Sequence, residues 1–337
     1  MSYYYLAHKT IRMLIKHAKP TAEFADALSW MCRATEYDEL PVRHNEDLIN
    51  AELSNNLPLK AETLGLVMWD PHVKAFLLLQ AYFSRIDLPI SDYVGDQNSV
   101  NDQAIRIIQA SIDVLTEMGH LQSCRMMMTL LQCVKSARWP DDGPLAIFPG
   151  VEVEAEKKRL ADAKSKPRTL IEATMSSRDE MTSALKQLGL PNTSHARVFK
   201  ALSQLPQLRV SVSDVNALGL KVNLARLNPV QDKAYRIYAP RYPKPQTEGY
   251  FVVASDAASG DIVGLKRVSW PSPEKTRGGN VSRPSTRAVI KLPGSDVERK
   301  IKVTIVSDSY IGMEWHLDEV EVPAPPKVVD DGLKKPQ

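Results

Sequence analysis

The densest run of chemically useful side chains is EYDELPVRHNED, Glu36 to Asp47, where acids, an arginine and a histidine share twelve residues. Carboxylates beside a histidine are the raw material of a metal centre or an acid–base pair. Such a site can be imagined here, but the simpler reading is a solvated loop whose opposite charges partly cancel. The remaining chemistry is sparse. His8, His17, His44, His72, His120, His195 and His316 are scattered singly. Cys32, Cys124 and Cys133 form no CxxC pair, which suits buried reduced thiols better than a disulfide frame. No HExxH, GxSxG or GxxxxGK[ST] motif occurs, so metalloprotease, serine-hydrolase and P-loop nucleotide chemistry have no residues to stand on. Expected catalytic, metal and cofactor-binding residues are therefore none.

Charge narrows the partners little. Lys+Arg number 43 against 40 Asp+Glu, a net charge of +3, too balanced to demand a polyanion without a local patch. No apolar run reaches the roughly 18 residues that a membrane helix needs, so no membrane partner is expected. With 337 residues, two or three cores are expected rather than one.

The elements that would position any site fall into three textures. Residues 1–140 carry helical periodicity. YYYLAHKTIRMLIKHA ends at Pro20, and Thr21 is placed to cap the helix AEFADALSWMCRAT. Asp70 and Pro71 open a helix that is apolar nearly all round from Phe76 to Leu79. A stripe of Ile105, Ile108, Ile112 and Leu115 marks the next helix, SVNDQAIRIIQASIDVLTEMG, and Gly119 stops it. These make a helical bundle. Residues 141–207 begin as a turn-rich connector, DDGPLAIFPGV, followed by the charged, solvated VEAEKKRLADAKSKPRT. A capping box, Ser177 with Glu180, then opens the first of two short helices joined by GLPNTS, with Thr193 or Ser194 as the second cap. From 208 to 323 the period drops to two: LRVSVSDV, LKVNLAR, AYRIY, GYFVVAS, DIVGLKRVSW, RAVIKL, KIKVTIVSD and EWHLDEVEV read as about eight strands of a fibronectin type III or immunoglobulin-like β-sandwich. PSPEKTRGGNVSRPST interrupts it as a polar loop. Residues 324–337 are too poor in apolar groups to fold. The fold class is thus multidomain, α then β: bundle, helix–loop–helix, sandwich.

One stretch, APRYPKPQTEGYFVV from Ala239 to Val253, mixes prolines, aromatics and cations before turning into a strand. Its prolines stiffen a long inter-strand connection and keep it out of the ladder. A PxxP ligand would need a free linker, which this is not.

Four blocks, LPVRHNED, KAFLLLQAYFSRIDLPISDYVGDQNSVNDQAIRIIQASIDVL, IYAPRYPKPQTEGYFVV and VSDSYIGMEW, together resemble the SEC-sixty-three homology unit that follows the helicase cassettes of large superfamily-two RNA helicases. Within that family, LPISDYVGDQNSVNDQA is more similar to the branch of the activating signal cointegrator complex, which triggers ribosome quality control, than to the spliceosomal snRNP branch. The resemblance runs in order from Ser2 to about Val322. It implies a helical bundle, a helix–loop–helix and a fibronectin-like sandwich; Met1 then reads as an expression start and the chain as a C-terminal fragment of an ATP-dependent helicase. ATP and magnesium would belong to upstream cassettes of that parent, and no cofactor to this chain. Its partners would be the neighbouring cassette, other subunits of the cointegrator or quality-control trigger complex, and RNA or the ribosome, in the cytoplasm with the nucleus as a second compartment.

In repair helicases of the family, one bundle helix ratchets against the translocating strand. The matching segment here, Asp102 to Met118, presents Asp102, Arg106, Gln109, Asp113 and Thr116 on one face. Arg106 is the candidate phosphate contact and Gln109 the candidate sugar or base contact. The two aspartates repel a backbone and the face has no stacking aromatic, which departs from the ratchet pattern. The resemblance thus leaves two roles: a scaffold and regulatory unit, with Arg277, Arg283 and Arg287 in and beside the polar loop as its candidate partner surface, or a nucleic-acid-binding processivity module.

Overall fold

The computed structural model describes residues 4–159, 167–230, 235–271 and 283–325. Ten α-helices precede eight strands among them. In chain order the helices are α1 (His8–His17), α2 (Phe24–Cys32), α3 (Glu46–Asn55), α4 (Pro71–Ser84), α5 (Ser91–Glu117), α6 (Leu121–Ser136), α7 (Val153–Arg159), α8 (Leu170–Met175), α9 (Arg178–Gln187) and α10 (Asn192–Gln204).

Local chemistry explains most of their ends. The Asp70 carboxylate accepts from the His72 amide at 2.8 Å, and Pro71 sits where a missing N–H has no cost. Ser177 and Glu180 close the expected capping box of α9. The cap of α2 is Glu23 paired with Asp26 rather than Thr21, and α10 starts at Asn192 behind Pro191, ahead of the caps foreseen for it. Helix α4 is buried from Val73 through Phe83, as its all-round apolar pattern requires. Helix α5 begins at Ser91, about two turns ahead of the expected start at Ser99. Gly95 weakens that first stretch, but Tyr93 and Asp96 are buried there and their contacts hold it helical.

Two stretches read as connector and solvated run are partly core. The connector forms a 3₁₀ turn, Pro144–Ile147, and Leu145, Ile147, Phe148 and Val151 enter the core of the helix–loop–helix. Glu156, from the charged run that follows, is buried and accepts a hydrogen bond from the Leu145 amide at 2.9 Å. A turn whose amides point inward needs an acceptor there, and the glutamate supplies it.

The strands are β1 (Leu208–Asn216), β2 (Gly219–Arg226), β3 (Gly249–Asp256), β4 (Ile262–Ser269), β5 (Ser285–Lys291), β6 (Arg299–Ser307), β7 (Glu314–His316) and β8 (Val320–Val322). All pair antiparallel, in two sheets ordered β1-β2-β5 and β4-β3-β6-β7, with β8 also on β6. EWHLDEVEV therefore runs along β6 in two pieces, and the described residues of AYRIY make only a single bridge, Arg236 to Thr247. Leu220, Val222 and Leu224 of the first sheet share a core with Tyr250, Val252, Ile301, Val303 and Ile305 of the second.

Strand β3 is buried on both faces. Tyr250, Val252 and Ala254 face the other sheet, while Phe251 and Val253, with Ile262 and Val306, join the core of the bundle. Its near-continuous apolar run follows from that double burial. Bundle and sheet thus share one core, and α5 and α6 lie where the two meet.

Candidate functional site

The chain itself engages the polar face of α5, although Asp113 on that face stays exposed. The Arg106 guanidinium donates to the Tyr4 carbonyl at 3.3 Å and also to Gln103, and the Tyr4 hydroxyl donates to Asp113 at 2.8 Å. Thr116 bonds back to the Ile112 carbonyl at 2.8 Å. Gln109 is only 9% exposed, so it does not share an open face with Arg106 as its spacing suggested. Asp102 pairs with Lys244 of the proline-rich stretch, and the Tyr242 hydroxyl donates to the Asn101 carbonyl at 3.3 Å. That stretch is a strap: Tyr242 is buried in the bundle core, and its neighbours hold α5 from outside. Periodicity identifies a helix face, but not the segment that closes over it.

Of the candidate arginines in and beside the polar loop, Arg277 lies outside the described residues, as do residues 326–337 of the tail. Arg283 is exposed, and exposed Arg287 on β5 donates to Asn223 at 2.9 Å. The structure brings neither Arg283 nor Arg287 together with Arg106 or Gln109.

Three buried ion clusters escaped the sequence reading. The first lies in EYDELPVRHNED itself, which is solvated only in part: Asp38, Glu39, Arg43 and His44 are exposed, but Glu46 is 2% exposed. Lys74, fully buried on α4, donates to Glu46 at 2.6 Å, to Asp96 at 2.7 Å and to the Pro41 carbonyl at 2.7 Å. Arg43 reaches Glu46 at 3.0 Å and Asp96 at 2.7 Å. Burial pushes both carboxyls up, but the bonds from Lys74 and Arg43 outweigh it and hold them below the usual range. A lone lysine inside an all-round apolar helix was the available signal, because such a cation demands a buried anion.

The second cluster joins the bundle to the sheet through VSDSY. Buried Asp308 pairs with Lys135 of α6 at 3.0 Å and with Arg267 of β4 at 2.8 Å, and the Ser309 hydroxyl donates to it at 2.5 Å. Gln132 donates to the Ser307 carbonyl at 2.6 Å, and the Tyr310 hydroxyl accepts the Tyr238 amide at 2.6 Å. The Gly249 amide also donates to Asp308, at 3.2 Å. A Cβ on Gly249 would collide with an Asp308 oxygen. Gly249→Ala is therefore expected to destabilise the chain by about 1–3 kcal/mol through overpacking, read as a lower urea midpoint.

The third ties α10 to the sheet. Arg226 pairs with Glu248 and donates to the Gln204 carbonyl at 2.6 Å, while the Trp270 indole donates to Glu248 at 2.7 Å. Burial leaves the Glu248 carboxyl above its usual range despite Arg226 and Trp270. This pair floors a cleft of about 520 Å³ bounded by Tyr238 and Pro240.

These arrangements lock elements together and present no reacting constellation. Among the described residues no group of three or more His, Cys, Asp and Glu side chains is placed to hold a metal, and no helix is long and apolar enough to cross a membrane. The three cysteines are buried, and burial pushes the Cys124 thiol up to about 12.

The model of the Sec63 Brl domain matches residues 1–319. The chain is 33% identical over 275 residues, 75% of its length, to the RQC trigger complex helicase SLH1 of Saccharomyces cerevisiae. It is 32% identical over 321 residues, 93% of its length, to the DExH-box ATP-dependent RNA helicase DExH14 of Arabidopsis thaliana. With the activating signal cointegrator 1 complex subunit 3 of Homo sapiens it shares 28% identity over 366 aligned positions, 94% of its length. The chain spans only 14–16% of the length of these relatives. It belongs to the Sec63 Brl domain family, a non-catalytic module of helicases.

Proposed function

We propose that this helicase-associated domain is a scaffold and regulatory unit of an ATP-dependent RNA helicase acting in ribosome quality control, in the splitting of stalled ribosomes. The observation that carries the reading is the state of the two candidate contacts on α5: Arg106 is engaged by the chain itself, as is Asp102 beside it, and Gln109 is buried. A helix tied down in this way suits holding a shape more than tracking a strand. The names of two relatives, a trigger complex helicase and a cointegrator complex subunit, support membership of a larger assembly. In this reading the sandwich is of fibronectin type, ATP and magnesium act in cassettes of the parent, and the partners are the adjoining cassette and other subunits of the complex, in the cytoplasm and the nucleus.

Two measurements test it. The purified chain is expected to retain at least one subunit of the complex in a pull-down, and capture of none overturns the scaffold role. It is also expected to bind single-stranded RNA no tighter than about 100 μM at low salt, weaker than most non-specific binders. Tighter binding that is lost in Arg106→Glu transfers the function to a nucleic-acid-binding processivity module.

A further inference from the structure

A groove of about 550 Å³ opens where the start of α2, the end of α4, residues 139–142 and the start of α7 meet. Its floor is aromatic. Trp139 packs edge-on against Phe83 at 5.4 Å and against Phe24 at 5.7 Å, and its indole N–H donates to Ser84 at 2.9 Å, which fixes the ring. Pro58 and Pro140 form apolar walls. The rim is acidic: Glu23, Asp141 and Glu154 line the groove and are exposed. Among the described residues no lysine, arginine or histidine lines it. None of these groups belongs to the three ion clusters.

We propose that this groove docks a short peptide segment of a partner protein that carries an arginine or lysine beside proline or aliphatic residues. The size falls within the range of ligand pockets. An aromatic floor attracts a cation through its negative face, a carboxylate rim adds attraction of the same sign, and apolar walls take the flanking side chains. An acidic or neutral polar segment would gain from neither.

The inference rests on the scaffold reading and names one surface for it. Heptapeptides are selected by phage display on the whole chain, and one enriched peptide is synthesised with fluorescein and titrated by anisotropy. The expected winners share a single basic residue next to proline or an aliphatic residue. Replacing that residue by citrulline or norleucine is expected to weaken binding about tenfold or more. Asp141→Lys with Glu154→Lys, both at exposed positions, is expected to do the same in a chain that keeps the circular dichroism spectrum of the parent. The proposal is overturned by no enrichment, by winners without a cation, or by a double variant that binds as the parent does. Subunit capture that survives the double variant removes this groove and leaves the scaffold role standing.

Discussion

Asp308→Ala is expected to lower the stability of the chain by about 3–5 kcal/mol, the cost of leaving a buried charge without its partner. Lys135 is the charge left behind: it is buried on α6, where burial already pulls its ammonium below the usual range against the attraction of Asp308. Burial pushes the Asp308 carboxyl up, but Lys135 and Arg267 outweigh it and hold it low. Arg267 is part-exposed and recovers water when Asp308 is lost, so the penalty falls on Lys135. Lys135→Met is expected to cost less, because Asp308 keeps Arg267. Lys135→Met with Asp308→Leu should recover much of the loss, since an apolar pair replaces a buried ion pair at little cost. Urea unfolding followed by far-ultraviolet circular dichroism and by tryptophan fluorescence reads the result. A cost below about 1 kcal/mol for Asp308→Ala, well under that of a broken buried pair, would show that the bundle and sheet do not depend on this contact.

What could be read in advance was local. The Asp70–Pro71 start and the Ser177–Glu180 box depend on residues within one turn, and both stand where their chemistry puts them. Period-two runs found the strands because alternate burial repeats along β1, β2 and β5. The misses have one cause. Glu46 looks solvated until Lys74 and Asp96, from helices far along the chain, close around it. Gln109 looks exposed until the fold buries it. Glu156 looks like one charge among many until the Leu145 amide finds it. The arginine loop fared differently, since Arg277 lies outside the described residues, while Arg283 and Arg287 are exposed and Arg287 is held by Asn223. Polar residues are placed by partners that spacing cannot name, whereas apolar periodicity carries its own address.

Lys74→Met is expected to cost about 3–5 kcal/mol at pH 7, because it leaves Glu46 and Asp96 facing each other in a buried site with only Arg43 to neutralise them. Its pH dependence separates this cause from lost packing. In the parent both carboxyls are held below their usual range, so their contribution is complete above about pH 4.3, the unfolded value for a glutamate, and is lost as pH falls through the lower folded values. Between pH 7 and pH 5 the parent should therefore change little through these groups. In Lys74→Met two neighbouring carboxylates share the site, and one of them should titrate above its unfolded value. A raised folded value adds stability as pH falls, so the urea midpoint of the variant should rise from pH 7 to pH 5. Glu46→Gln added to Lys74→Met removes the repulsion and should flatten that rise. If Lys74→Met instead loses the same stability at both pH values, the cluster acts through packing and its charges do not control this corner of the bundle.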